Sequence, residues 1–221
     1  MLRQMLDGGF EPACVVVERS AIAEEERAKF LARIDGRGVA KSIAQQLDPA
    51  VPVLHVGEHT SAAVCPLLQD LDLDLVVLGG TRVIRGPLLD LPRHGVINSH
   101  PGLLPECRGS ASPAWSVLYD IPIGATTHVC DASIDTGDLL LRRELPVRRG
   151  ATYEDLCHGT LMLAGALMRE TLEAFVAGTW NQLRRPQGPS SHPTFRNAPD
   201  DVLQAVRAKL VRGTYAHYAD D

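Results

Sequence analysis

Two short stretches hold residue types that could act together on a reacting carbonyl. The first is Asn98-Ser99-His100-Pro101-Gly102-Leu103-Leu104-Pro105, followed by Arg108-Gly109, and it sets a side-chain amide and an imidazole two positions apart. On an extended chain such residues project to the same side. Together they could donate hydrogen bonds to a developing oxyanion, on a loop stiffened by its prolines. The second stretch, Asp131-Ala132-Ser133-Ile134-Asp135-Thr136-Gly137-Asp138, gathers carboxylates in a turn that glycine lets bend sharply. One carboxylate could face the imidazole across a cleft. Taken singly, each has a plainer reading. An Asn-x-His pair at a strand end is more often structural polar satisfaction, and three aspartates in a turn fit a solvated loop better than a weak cation site.

These residues need a frame. Met1–Asp7 reads as a helix fragment, Ala13–Val17 as a short β-rich run, and Glu18–Lys29 as a solvated helix. Residues Gly38–Leu47 have helical composition, Val51–Val56 is an apolar run bounded by prolines, and Ser61–Gln69 suits a helix. Leu75–Gly80 reads as a strand ending in two glycines, Pro87–Leu91 as a helix, and His94–Asn98 as the strand that delivers the first motif. A helix around Pro113–Tyr119 follows, then strands at Thr126–Val129 and Leu139–Val147 on either side of the Asp131–Asp138 turn. Thr152 with Asp155 is a capping-box variant opening a long helix that ends near Gly178, and a last short helix spans Val202–Leu210. Alternating strands and helices predict a doubly wound α/β fold with a mostly parallel sheet, whose ligands sit at the carboxyl ends of its strands. We divide the chain into a catalytic domain over 1–180 and a Pro-rich surface tail with a short helix over 181–221.

Composition narrows the partners. A net charge of −5 gives no basic footprint for DNA or RNA, so nucleic acid is not expected as a partner. No apolar run approaches the ~20 residues that span a bilayer, and the start lacks signal-peptide order, so a cytoplasmic protein without membrane contact is expected. Five scattered cysteines form no CxxC spacing and read as reduced core thiols. His55 and His59 straddle Gly57 in a strand-to-loop region, a poor frame for a metal. His128 reads as a strand residue near the site rather than a second base, and Trp115 as helix packing.

The run Asn98 to Gly109 resembles the signature of the folate-dependent formyltransferase family, Asn-x-His-Pro-Ser-Leu-Leu-Pro before an Arg-Gly. Ile134-Asp135-Thr136-Gly137-Asp138 is similar to that family's second motif, an Asp-x-Gly turn between two strands. The likeness runs from Leu75 to about Ala177, taking in Trp115, Gly124 with Thr127, and the Thr152-led helix, and is looser through the tail. It implies that Asn98, His100 and Asp135 are catalytic, in a metal-free transfer of a formyl group from 10-formyltetrahydrofolate to an amine. An oxyanion would be met by Asn98 and a protonated His100, with Asp135 supporting the imidazolium. The resemblance places the pterin site at Thr81, Arg82, Val83 and Ile84 and at Cys130, Asp131 and the segment up to Ile134. Arg82 and Arg85 are then equally surface charges or partners for the anionic tail of folate.

Two departures from the family pattern matter. Gly102 stands where the pattern more often has Ser. The family's first strand, central in its sheet, has no counterpart here, so either the natural start lies upstream or another segment or subunit fills the gap. The resemblance implies a small primary amine as acceptor, such as an amino sugar nucleotide or an amino acid derivative. Transfer-RNA members carry a further β-rich domain, and glycinamide ribonucleotide members use a phosphate-binding start. The alternative is a folate-binding or assembly module without turnover, and a homo-oligomer is compatible with either.

Overall fold

The computed structural model describes residues 1–37, 42–61 and 63–219. Helix α1 (Leu2–Asp7) precedes strand β1 (Val15–Glu18), helix α2 (Ala21–Arg33) and strand β2 (Val53–Val56). Ser20 caps α2 by accepting a hydrogen bond from the amide of Ala23, and no residue of that helix is buried, as its charged composition requires. The helical reading of Gly38–Leu47 is corrected: residues 42–47 form turns, with the Ser42 hydroxyl accepting from the Gln45 amide, while 38–41 lie outside the described residues. A polar side chain that bonds its own backbone competes with the helix there.

Helix α3 (Val64–Gln69) leads to β3 (Val76–Leu78), a 3₁₀ turn at Gly86–Leu89 and β4 (Val96–His100). Helix α4 (Ser112–Leu118), the strands β5 (Gly124–Val129) and β6 (Leu139–Glu144), and helix α5 (Tyr153–Val176) complete the centre of the fold, and α6 (Asp200–Val211) closes the chain. The capping box is formed: Thr152 Oγ1 accepts from the Asp155 amide at 3.1 Å, and Asp155 Oδ2 accepts from the Thr152 amide at 2.8 Å.

The fold is α/β with parallel strands, as expected, and its pairing is mixed. β1 and β2 pair in parallel, β3 and β4 pair in parallel, and β4, β5 and β6 run antiparallel in that order. Among the described residues no strand is hydrogen-bonded between the β1–β2 pair and β3. Side chains of both sheets nonetheless share one apolar cluster, with Val16, Leu54 and Val56 packed against Leu78, Ile84 and Val96. Helix α5 covers one face of β4 and β5, burying Ala164 and Leu167 against Ala125 and Met168 against Ile97. The opposite face of those strands carries the polar motifs.

Candidate active site

Alternation along β4 decides which side chains reach the site. Ile97 and Ser99 turn toward α5, where Ser99 Oγ donates to the Ala164 carbonyl at 2.6 Å and meets Thr127 Oγ1 at 3.1 Å. Asn98 and His100 therefore turn the other way. The strand runs two residues further than its apolar pattern suggests, because Ser99 and His100 still pair with Thr127 and Thr126 of β5. In that register Asn98 lies directly opposite His128, so the two side chains share a face. Between Thr127 and His128 the register shifts, because Thr127 pairs with Leu141 and His128 with Leu139, leaving Leu140 of β6 as the extra residue.

The loop that follows β4 is held by its own strand neighbour. Thr126 Oγ1 donates to the Gly102 carbonyl at 2.9 Å and accepts from the Leu104 amide at 3.1 Å. Gly102 has a steric reason to be glycine: a Cβ there would lie 2.7 Å from His100 Nε2 and from Ser112 Cβ. The imidazole and the Ser112 hydroxyl occupy that space instead, 3.0 Å apart.

Asp135 lies in the left-handed region, with φ of 53°, a conformation that aspartate tolerates better than most residues. The Gly137 backbone passes so close to Val129 that a Cβ would sit 1.9 Å from the Val129 carbonyl oxygen. This tight arch carries the Asp135 carboxylate between two imidazoles. Oδ1 is 3.4 Å from His128 Nε2, and Oδ2 is 3.5 Å from His100 Nδ1 and accepts the Gly109 amide at 2.8 Å. Asn98 Nδ2 lies 3.4 Å from the same His128 Nε2. The structure therefore brings Asn98, His100 and Asp135 into one cluster, with His128 as the fourth member at its centre.

Charge in this cluster follows from its surroundings. Burial opposes ionisation of Asp135, but the His100 and His128 rings and the Gly109 amide outweigh it and hold the carboxyl down at about 2. His100 is 4% exposed, and burial lowers its pKa against the opposing pull of Asp135 and the Cys107 carbonyl. Its Nε2 lies 2.7 Å from the Cys107 oxygen, which can only accept, so that nitrogen carries the proton. The other nitrogen, Nδ1, faces the Asp135 carboxylate, so burial opposes the imidazolium expected from the sequence while Asp135 favours it. His128 Nδ1 faces the Val129 carbonyl at 2.9 Å, which fixes the proton on that nitrogen and leaves Nε2 for Asn98 or Asp135. The arrangement can accept a proton beside a fixed anion and offer an amide donor on the same face.

The residues expected around a pterin divide differently. Ile84 is buried and Cys130 half-buried in the apolar cluster of Leu78 and Val96, and the Cys130 amide donates to the Val96 carbonyl at 2.7 Å. Burial, with Asp135 and Asp131 nearby, pushes the Cys130 thiol up to about 12, so it packs rather than reacts. Asp131 caps its own loop, accepting from the Ser133 amide at 3.0 Å and from Thr136 Oγ1 at 2.6 Å. Val83 is exposed, and Thr81 and Ile134 are partly so. Arg82 is engaged: its guanidinium donates to Glu18 Oε1 at 2.7 and 3.0 Å, and Glu18 is buried with Ser20 and His59 around it. Arg85 is exposed. Among the described residues no group of three or more His, Cys, Asp and Glu side chains is arranged to hold a metal ion, and no helix is long and apolar enough to cross a membrane.

His128, read from the sequence as a strand residue near the site, does lie on β5, and the structure adds its contact with Asp135 at 3.4 Å. The signal was available in part, since His128 occupies the β5 position opposite Asn98, but that register is known only once the two strands are paired.

An α/β sheet with an amide and a carboxylate, both partly exposed, gathered around buried imidazoles at the end of a strand defines an enzyme-like scaffold that takes its ligand at strand ends. Residues 16–172 match the model of the formyl transferase family. The chain belongs to that family. It is 31% identical over 185 residues to a methionyl-tRNA formyltransferase of Geobacter sulfurreducens, covering 80% of this chain and 54% of that one. A methionyl-tRNA formyltransferase of Geotalea daltonii is 31% identical over 229 residues, covering 96% and 72%. Among solved structures, glycinamide ribonucleotide transformylase 1 of Symbiobacterium toebii superposes with a TM-score of 0.60 at 28% identity, covering 80% of this chain and 82% of that one. The chain spans about half the length of the first curated relatives it matches, 54% and 55%.

Proposed function

We propose that this protein transfers a formyl group from 10-formyltetrahydrofolate to a primary amine of a small molecule. The observation that carries the reading is the ionised Asp135 held between His100 and His128 beside Asn98, within a chain of the formyl transferase family. In this reaction a neutral amine attacks the formyl carbon and gives a tetrahedral intermediate. Asn98 donates a hydrogen bond to its oxyanion. His100 takes a proton at Nδ1 as the amine loses one, and Asp135 stabilises the imidazolium so formed. Collapse of the intermediate expels tetrahydrofolate, whose nitrogen recovers a proton. Removal of one oxyanion donor costs on the order of 10²–10³ in rate.

The donor's pterin is assigned to the segments Thr81–Ile84 and Cys130–Ile134. Support comes from Ile84 and Cys130 meeting in one apolar cluster while Thr81, Val83 and Ile134 stay accessible. The Glu18–Arg82 ion pair anchors the first segment rather than offering a free cation to the folate tail.

The acceptor is the finer part of the proposal. The names of the curated relatives favour a second reading, in which the amine is the methionyl group on transfer RNA. The net charge of −5 favours a small molecule over a polyanion. The test incubates the protein and 10-formyltetrahydrofolate with panels of amino sugar nucleotides, amino acid derivatives and methionyl-tRNA, and follows the gain of one formyl group by mass. Formylation confined to a small amine supports the proposal. Formylation of methionyl-tRNA alone replaces the acceptor. Folate binding without any transfer leaves the chain a binding module and refutes the catalytic reading.

A further inference from the structure

The two loops that build the active site belong to different strands and meet through a third segment. Residues Arg184 to Arg196 run across both. Arg184 donates to Asp138 Oδ2 at 3.0 and 3.2 Å, and Arg185 exchanges backbone hydrogen bonds with Leu139 at 2.8 and 2.9 Å, which lays the segment along the start of β6. Further on, the Phe195 amide donates to the Arg108 carbonyl at 2.8 Å, and the Ser110 amide donates to the Phe195 carbonyl at 3.0 Å. That crossing is close: a Cβ on Gly109 would lie 2.0 Å from the Phe195 oxygen. The ring of Phe195 stacks on Trp115 with centroids 5.0 Å apart.

Between these anchors stands Gln187, whose side-chain amide works in both directions. Its Nε2 donates to the Asp135 carbonyl at 3.0 Å and to the Gly137 carbonyl at 2.7 Å. Its Oε1 accepts from Arg108 Nη2 at 2.9 Å and Nε at 3.3 Å, and Arg108 Nη2 also reaches the Gly188 carbonyl at 3.3 Å. One planar group thus ties the left-handed backbone of Asp135 to the residue preceding Gly109, the residue whose amide holds the Asp135 carboxylate at 2.8 Å.

We propose that Gln187 is a positioning residue for Asp135, setting the distance between the Asp135 loop and the Arg108–Gly109 loop so that the carboxylate stays on the Gly109 amide between His100 and His128. The proposal rests on the formyl-transfer reading for its consequence in catalysis, and on geometry alone for the positioning. The chemistry demands a side chain with an acceptor and a two-proton donor at this reach. Glutamate supplies the acceptor to Arg108 but no donor, and it sets an anion against two carbonyl oxygens. Alanine supplies neither.

The experiment compares the full chain with Gln187→Glu and Gln187→Ala, with thermal unfolding as the control for folding. The amide proton of Gly109 is followed by NMR, because its shift and exchange rate report the hydrogen bond to the carboxylate without any substrate. Turnover with 10-formyltetrahydrofolate and the acceptor found by screening supplies kcat and KM. In both variants the Gly109 amide is expected to move upfield and exchange faster, and kcat to fall by about 10- to 100-fold with KM for the donor nearly unchanged, as a displacement of order 1 Å at a catalytic group produces. If Gln187→Glu keeps the Gly109 resonance and the turnover of the parent, Gln187 only anchors the tail through Arg108 and the proposal is overturned. Should the alanine variant not fold, the glutamate variant decides alone, since it keeps the contact to Arg108. A Gly109 amide that moves in a protein with no formyl transfer at all sinks the proposed function and leaves the positioning intact.

Discussion

Gly102 offers the sharpest test of how the site is packed. In Gly102→Ala the new Cβ would lie 2.7 Å from His100 Nε2, 2.7 Å from Ser112 Cβ and 2.8 Å from Ser112 Oγ. Carbon contacts are comfortable at about 3.5–4.0 Å, so the imidazole or the start of α4 must retreat by roughly 1 Å. The ring has little freedom, because its Nε2 is already 2.7 Å from the Cys107 carbonyl in a fully buried setting. Overpacking of this kind costs about 1–3 kcal/mol, and detaching a buried carbonyl from its donor adds about 1–3 kcal/mol. We expect a loss of about 2–6 kcal/mol in urea unfolding at unchanged slope, and a fall in turnover because His100 moves from Asp135. Two of the three close atoms belong to Ser112. Adding Ser112→Gly should therefore return at least ~1 kcal/mol relative to the sum of the single variants, a coupling that double-mutant cycles resolve. A Gly102→Ala protein as stable as the parent, or additive losses in the double variant, would refute the packing argument.

His100→Ala and Asp135→Ala should each lower turnover at least ~100-fold while thermal unfolding stays cooperative, and the double variant should lose less than the product, since either change already disables the pair. The pH dependence has a definite sign. The folded pKa of Asp135 is held at about 2, below the ordinary 3.8, so its contribution is present above 3.8 and lost as pH falls toward 2. That contribution is on the order of 2 kcal/mol, and the difference between parent and Asp135→Asn in urea midpoints should shrink across that window. The lowered pKa of His100 acts in the same direction at higher pH, its stabilisation being complete above 6.5 and lost as pH falls through the folded value. Glu18→Gln should free Arg82 and loosen the segment Thr81–Ile84, raising KM for the formyl donor with kcat nearly unchanged in steady-state kinetics.

Much of the frame was legible because it depends on local chemistry. Thr152 with Asp155 announces the start of α5 through a box closed within one turn, and the strand of Leu75–Gly80 is a run of apolar residues stopped by two glycines. The pair Asn98 and His100 was legible too, since period-two alternation needs only one strand. What failed was long-range or competitive. His128 enters the site by pairing opposite Asn98, thirty positions earlier in the chain, and no local pattern specifies that register. Gln187 sits in a Pro-rich stretch without periodicity, where only the folded path reveals what it crosses. The turns at 42–47 escaped because composition favoured a helix while Ser42 bonded its own backbone. Burial at His100 was not legible either: it opposes the charge that the neighbouring Asp135 favours, and only the folded chain shows a ring 4% exposed.

The face of β4 that carries Asn98 and His100 is held in place by the opposite face. Asn98 and His100 are each flanked by a residue locked on the other side of the sheet. Ile97 is fully buried near Met168, and Ser99 is bound to Ala164 and Thr127. Because successive side chains on a strand share one backbone, a displacement of Ser99 rotates both neighbours. Ser99→Ala would leave the Ala164 carbonyl within a helix whose own ladder already uses it, a modest loss, but it would also deprive the buried Thr127 hydroxyl, next to His128 on β5, of its partner. Rigidity at the site is in this sense bought from the α5 interface. That accounts for a serine and a threonine facing each other, both buried, on a face that otherwise packs alanine, leucine and methionine.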